Sequence, residues 1–378
     1  MTIQNSDMQL KTAVTPGQCY EPDNDALADL LRQIYKNKYY TNHGPLAVEF
    51  ESSLSSYLNV RHAIVSTNAT LALMMTLVAL DVKGTVVVPC VCSPGVVEAV
   101  IWAGLVPVFC DVDKDTGHMT AETAQDVLDD DTSTIIASSL WGNVCETGDL
   151  VSNCGRADLK IIHYAEGAFG AIVDGETLGC DGDAAIFSFD SANILSTTGG
   201  GCVATNNELL ARKVRNIRSS YGAGPPEKVP VTANGRFSEY QAALGLWSLS
   251  RLEFHRKRNK TIVDIYRQSL AGINAIRFPG VREHVISNYQ DALLGIQGAE
   301  PGVMRDRIRG MLEEHNIFTT DSNRAYLDNT DVFSNWCDGR VFPNMTHFSG
   351  TSLNLPVGSK VTPDLAEKIG VLVKSCFH

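Results

Sequence analysis

The chain has 378 residues, 44% of them hydrophobic and 20% charged, the composition of a folded globular protein with room for a large core and a smaller second one. A net charge of −12 excludes the broad basic face that nucleic acid or an anionic membrane surface requires, so neither is expected as a partner. No apolar run is long enough for a membrane span, the opening residues are too polar for a signal peptide, and the ten cysteines follow no framework spacing; a reduced, cytoplasmic protein is expected.

Short β-branched runs at 63–66, 85–88, 107–110, 134–138, 160–164, 184–187 and 201–205 read as strands. Amphipathic stretches at 70–80, 95–103 and 120–128 fall between them and read as helices. This alternation predicts an α/β fold, a mostly parallel sheet sandwiched by helices, with ligands at the carboxyl ends of the strands. The loops after Ser66, Val88, Ser138, Tyr164 and Phe187 are therefore the ones to inspect. Residues 219–236 are polar and contain Gly and Pro, the pattern of a long functional loop. A long helix is predicted over 238–270, with Leu244, Leu246, Leu249 and Leu252 on its apolar stripe. Weaker strand signals and helices at 305–314 and 363–373 follow, so a large domain over 1–250 and a small αβ domain over 251–378 are expected.

Seven blocks occur in an order that resembles the DegT/StrS-type family of nucleotide-sugar aminotransferases: TNHGPLAVEFE at 41–51, STNATLAL at 66–73, PVFCDVD at 107–113, WGNVCE at 141–146, IIHYAEGAFGA at 161–171, FSFDSANILSTTGGGCVATNN at 187–207 and NGRFSEYQAALG at 234–245. The first is similar to the opening signature of the subgroup acting on 4-keto-6-deoxy sugars. The resemblance spans nearly the whole chain and implies the fold-type-I aminotransferase fold, pyridoxal phosphate as the ancestral cofactor, and a homodimer with its sites at the interface.

Carried over block by block, the resemblance also implies an altered site. Asn193 falls where the family's cofactor-binding lysine stands, and Tyr164 where an aspartate pairs with the pyridine nitrogen. Gly167 falls at a supporting histidine or glutamine, Cys92 at a stacking aromatic, and Gly199 at a glutamate. No aldimine with the chain is then expected, and cofactor held without a covalent bond, as pyridoxal or pyridoxamine phosphate, is the only form left open. The phosphate side is retained: Ser188 matches a phosphate-binding serine, Ala69 and Thr70 open a helix whose free N–H groups suit an anion, and Asn234 matches an asparagine that reaches the phosphate of the partner subunit.

Tyr164 and Glu166 are two apart at a strand end and can face one cleft, and Asp190 is a second carboxylate nearby. These three, with Asn193, are the candidate catalytic groups; Glu166 would serve as general acid or base, and the alternative is that all are ordinary polar groups in a disused site. His163 belongs to the opposite strand face and reads as a core histidine. Cys90 and Cys92, with Cys145 and Cys202, lack the spacing of a structural zinc site, so no metal is expected. The Gly199–Gly201 run precedes a strand and reads as a tight turn, and Arg324 with Tyr326 falls near a segment where relatives touch substrate. Three functions follow: a lysine-independent enzyme of sugar or secondary metabolism acting on an anionic or nucleotide-linked substrate, a non-catalytic sugar-nucleotide-binding or heterodimer subunit, or a transaminase or dehydratase with non-covalent cofactor.

Overall fold

The computed structural model describes residues 10–18, 20–146, 148, 150, 156, 158–279, 284–320, 333, 335–337 and 339–377. A seven-stranded sheet forms its centre, in the order β1-β9-β8-β5-β4-β2-β3. These strands are β1 (His62–Ser66), β2 (Thr85–Pro89), β3 (Val106–Cys110), β4 (Thr132–Ser138), β5 (Lys160–Tyr164), β8 (Ala184–Ser188) and β9 (Gly201–Thr205). Only β9 runs against its neighbours, β1 and β8; the other pairings are parallel. Each expected strand is present within two residues of its predicted bounds. The strands are buried on both faces, as the unbroken apolar runs require.

One face carries α3 (Ala69–Ala79), α4 (Pro94–Trp102) and α6 (Glu208–Ser219). On the other lie α2 (Pro45–Tyr57) and the first half of α7 (Glu239–Ser269), with α1 (Asn24–Asn37) against α7. The predicted helix at 120–128 shortens to α5 (Ala121–Gln125), capped by Thr120. Helix α7 crosses residue 250 without a break. Its Ala242, Ala243 and Leu252 belong to the large core, while Ile262, Val263 and Tyr266 belong to a second core. That second core also holds α8 (Pro301–Glu313), α10 (Pro363–Ser375) and the strands β12 (Ala292–Ile296) and β13 (Ser352–Leu355), which pair antiparallel beside β10 (Ile276–Arg277). Leu10 and Val14 pack on it as well, so this N-terminal stretch lies with the second core although it is expected with the first. A small sheet of β6 (Ile172–Val173), β7 (Glu176–Thr177) and β11 (Val285–Ile286) joins the two, and α9 (Pro343–Thr351) packs on α8.

Two of the sequence blocks are explained by contact with each other. Helix α2 begins at Gly44, which offers no side-chain cap. The buried Glu239 carboxylate supplies it, accepting from Leu46 N at 2.8 Å and Ala47 N at 2.9 Å. At the other end of the first block, the buried Glu51 accepts from Arg218 Nη1 at 2.6 Å, Arg215 Nη2 at 3.1 Å and Val65 N at 3.1 Å. Arg218 also donates to Val65 O at 2.8 Å and meets His43 Nδ1 at 3.2 Å. This ion cluster fixes α6 to β1, and the loop 219–236 runs back along it through Ala233 N to Ile217 O and Gly235 N to Arg218 O. Removing the acid strands two cations, one of them fully buried. Glu51→Ala should therefore cost about 3–5 kcal/mol in chemical denaturation; a loss below about 1 kcal/mol, the surface-pair range, would show that the cluster is solvated.

His163 lies in the interior, as expected for the face away from the cleft. Its Nε2 is 2.5 Å from Ser139 Oγ, which itself accepts from Cys145 N at 2.8 Å. Burial, with His118 nearby, lowers its pKa to about 4. Between the unfolded value near 6.5 and the folded value, the unfolded chain takes up a proton that the native chain refuses. Stability is thus complete above pH 6.5 and falls as pH drops toward 4, by about 3 kcal/mol for this group. Urea titrations across that window should show the slope, and His163→Gln should flatten it; an unchanged slope would assign it to another group.

Candidate functional site

The carboxyl ends of β2, β4, β5 and β8 surround a cavity of about 260 Å³. Four of the five loops singled out from the sequence reach it: Ser93 and Pro94 follow β2, Leu140 follows β4, Glu166 follows β5, and Asp190, Ala192 and Asn193 follow β8. None of these lining residues is a lysine.

Tyr164 ends β5 and is buried, its hydroxyl hydrogen-bonded to the Ser93 side chain. Burial pushes its pKa well above the usual tyrosine range, and the adjacent Glu166 and Cys92 add to the rise. It is a neutral phenol. Cys92 is also buried, its thiol pushed up to about 12 by burial and by Glu166. Glu166 is thus the carboxylate around which Tyr164 and Cys92 are grouped, on the wall of the cavity. Asp190 is exposed and accepts from Ser191 N and, at 2.9 Å, from Ser191 Oγ.

Asn193 is buried, with both ends of its carboxamide engaged. Nδ2 donates to Ser188 O at 3.0 Å, and Oδ1 accepts from Gln290 Nε2 at 3.4 Å. Gln290 Oε1 accepts from Ile194 N at 3.2 Å and Asn288 Nδ2 at 3.4 Å, and Gln290 O accepts from Gln18 Nε2 at 2.7 Å. Asn288 Nδ2 in turn donates to Gly167 O at 3.1 Å and Phe169 O at 3.0 Å. Gly167 has no room for a side chain: a Cβ there would stand 2.9 Å from Leu140 Cα and Trp141 N. The backbone after β4 occupies the place of any residue larger than glycine.

The residues expected on the anion side lie a short way along the sheet. Gly201 pairs with Ser66 on one side and Ser188 on the other. A Cβ on Gly201 would come within 2.6 Å of Ala69 N, so the start of α3 rests directly on this strand end. Ser188 and Ala69 therefore lie near one another, with Thr70 next along the helix. Asn68 caps the helix, accepting from Leu71 N at 2.7 Å, and the first N–H groups of a helix have no partner within it. Asn234 is exposed, and its neighbour Gly235 accepts from Thr67 N at 3.3 Å, beside the same helix start. The chain bends at Thr198 and Gly199, with φ of 64° and 155°, just ahead of β9, and Gly199 O accepts from Gln241 Nε2 at 2.6 Å. Arg324 and Tyr326 lie outside the described residues.

Sequence reasoning missed Ser93, Leu140 and the distant Gln290, Asp291, Thr320 and Asn354, which form the opposite wall of an adjoining recess. Ser93 had a signal, a serine before proline at a helix start following a strand. Leu140 is an apolar residue just past a strand end, and the other four are isolated polar residues whose place in the wall appears only when the second core closes on the first.

The sequence profile of the DegT/DnrJ/EryC1/StrS aminotransferase family matches residues 22–374. A dTDP-4-amino-4,6-dideoxy-D-glucose transaminase of Shigella dysenteriae is 26% identical over 355 residues, 92% of this chain and 95% of that one. A GDP-perosamine synthase of Caulobacter vibrioides is 31% identical over 300 residues, 77% and 81% of the two chains. The crystal structure of DesI in the presence of its TDP-sugar product superposes with a TM-score of 0.89 at 27% identity, over 98% of this chain and 94% of that one. With this sheet, this second core and a match across nearly its whole length, the chain belongs to the DegT/DnrJ/EryC1/StrS aminotransferase family and has the fold of the fold-type-I pyridoxal-phosphate-dependent aminotransferases.

Proposed function

We propose that this family member acts without a covalently held cofactor, as a lysine-independent enzyme of sugar or secondary metabolism. It takes a nucleotide-linked or otherwise anionic sugar in the cavity of Glu166, Tyr164, Asp190 and Asn193. The observation that carries this reading is Asn193, a carboxamide hydrogen-bonded into a buried network at the position where the sequence blocks call for lysine.

The residues present do not fit pyridoxal phosphate. The cofactor needs an amine to hold it and a carboxylate at the ring nitrogen to keep it protonated. Asn193 has no nucleophilic amine, and Tyr164 is a neutral phenol bound to Ser93. Cys92 is a buried thiol that offers no aromatic face, and Gly167 cannot be enlarged without moving the Leu140–Trp141 backbone. What remains is acid–base and hydrogen-bonding chemistry. Tyr164, protonated at any physiological pH, is a donor; Glu166 beside it is the group able to accept a proton from a sugar hydroxyl or acidic C–H; Asp190 orients ligand at the mouth. The neutral donors Ser188, Ala69 N–H and Thr70 N–H suit a phosphate at short range despite the net charge of −12. Relatives named for dTDP- and GDP-linked sugars support a nucleotide sugar as that substrate.

A homodimer belongs to the same reading, with Asn234 of one copy completing the anion site of the other. The exposed Tyr35, Tyr39, Tyr40 and Tyr240, grouped by the Tyr35–Tyr40 ring contact and the Tyr240–Tyr35 hydroxyl pair, give it an aromatic face to bury. Among the described residues no helix is long and apolar enough to cross a membrane, in keeping with a cytoplasmic protein.

Borohydride reduction in the presence of pyridoxal phosphate, followed by intact-mass and peptide mapping, should give no pyridoxyl adduct. One stoichiometric adduct on any lysine would overturn the reading. Ser188→Ala should weaken a phosphorylated ligand by about 1.5–3 kcal/mol, the range for a hydrogen bond to a charged group, and Asn234→Ala should weaken it too. Equal affinity of both variants and the parent in titration calorimetry would show that the anion is held elsewhere.

A further inference from the structure

The cavity has an annex. Beyond Glu166 and Asn193, which line both spaces, a recess of about 20 Å³ opens toward the second core. Its far wall is Gln290, Asp291, Thr320 and Asn354. A space of this size holds roughly one water-sized group, on the order of 10–15 Å³ being needed for one. It is too small for a sugar ring and large enough for a single hydroxyl.

The chemistry of the wall matches that occupant. Asn193, Gln290 and Asn354 are all buried carboxamides, and buried polar groups are ordinarily satisfied. A carboxamide nitrogen has two hydrogens to place. Asn193 Nδ2 places one, on Ser188 O; Gln290 Nε2 places one, on Asn193 Oδ1. Among the described residues each keeps a second hydrogen without an acceptor. Asn354 Nδ2 is engaged by Asp291 Oδ1 at 2.6 Å and Thr320 Oγ1 at 3.4 Å, which orients the Asp291 carboxylate and leaves its other oxygen as an acceptor. Donors and an acceptor thus converge on a space the size of one hydroxyl, which both donates and accepts.

We propose that this annex is a hydroxyl-reading subsite: the ligand's ring lies in the main cavity and one of its hydroxyls enters between Asn193, Gln290 and Asp291. Gln290 and Asp291 are then specificity-determining residues, supplied by the second core. The inference rests on the sugar-binding reading above and deepens it. A site built to hydrogen-bond a hydroxyl rejects the analogue lacking it, because its buried polar groups are left unpaired.

The test is titration calorimetry of the intact protein with dTDP- and GDP-linked hexoses, with dTDP and GDP alone, and with the monodeoxy hexose conjugates. One ring position should matter: its deoxy conjugate should bind at least about tenfold more weakly, the others within about threefold. Asp291→Asn should shrink that discrimination, and Gln290→Leu should abolish it, each checked for folding by its thermal transition. The deoxy series on the parent protein stands even if a variant does not fold. Deoxy conjugates that all bind within about threefold of the parent sugar, or a complex structure in which the annex keeps a water beside the bound sugar, would overturn the annex alone. No binding of any conjugate would overturn the sugar-binding reading, and the annex with it.

Discussion

Asn193, Gln290, Gln18 and Asn259 form a chain of buried carboxamides from the floor of the cavity to the second core. Gln18 takes a hydrogen bond from Asn259 Nδ2 at 2.5 Å, and Asn259 takes one from the Tyr20 hydroxyl at 2.8 Å. Arg258 then ties Tyr20 to Gly358 O, Ser359 O and Val361 O. A buried amide left without partners costs about 1–3 kcal/mol, whereas a satisfied one contributes about 1 kcal/mol net. The chain is therefore stable only when complete, and completing it requires the two cores to meet in one register. The recess between them inherits its shape from that requirement.

The parallel sheet was legible because its strands are buried on both faces and so appear as continuous apolar runs. Long helix α7 was legible from its run of leucines, and the structure adds a second local signal, the reciprocal capping box of Ser238 and Gln241 at its start, contained within four residues. Helix α2 shows the opposite case. Its cap is Glu239, nearly two hundred residues away, so Pro45 at the first helical position is the one local sign of a helix start. The same contrast holds in the site. Tyr164 ends a strand, and Glu166, Asp190 and Asn193 lie on loops at strand ends, where strand order brings them together. Gln290 and Asn354 were illegible because a single glutamine or asparagine in the sequence carries no sign of burial. Only the docking of β12 and β13 against the large domain gives them one.

Sequence also could not separate a lost side chain from a filled space. Gly167 reads as a missing side chain, and in the structure the Leu140–Trp141 backbone fills the place where one would stand. Gly142 N donates to Gly167 O at 2.9 Å, Gly167 N donates to Ser139 O at 3.0 Å, and Asn288 braces the same carbonyl. Trp141 and Gly142, both with positive φ, make the turn that allows this approach. A position held by three hydrogen bonds and two tight contacts has no space for a side chain.

The charges around the cavity are consistent with one another in the same sense. Tyr164 is buried, and Glu166 stands beside it on the cavity wall. A carboxylate at 164 would set two like charges side by side in a poorly solvated cleft, and one would have to take up a proton. A phenol at 164 avoids that conflict, because burial and Glu166 both favour its neutral form. Cys92 answers to the same two influences and is neutral for the same reasons. Glu166 thus stands two residues beyond the strand end, lining both the main cavity and its annex. The facing wall carries the carboxamides Gln290 and Asn354, the Asp291 carboxylate and Thr320, groups that between them donate and accept hydrogen bonds.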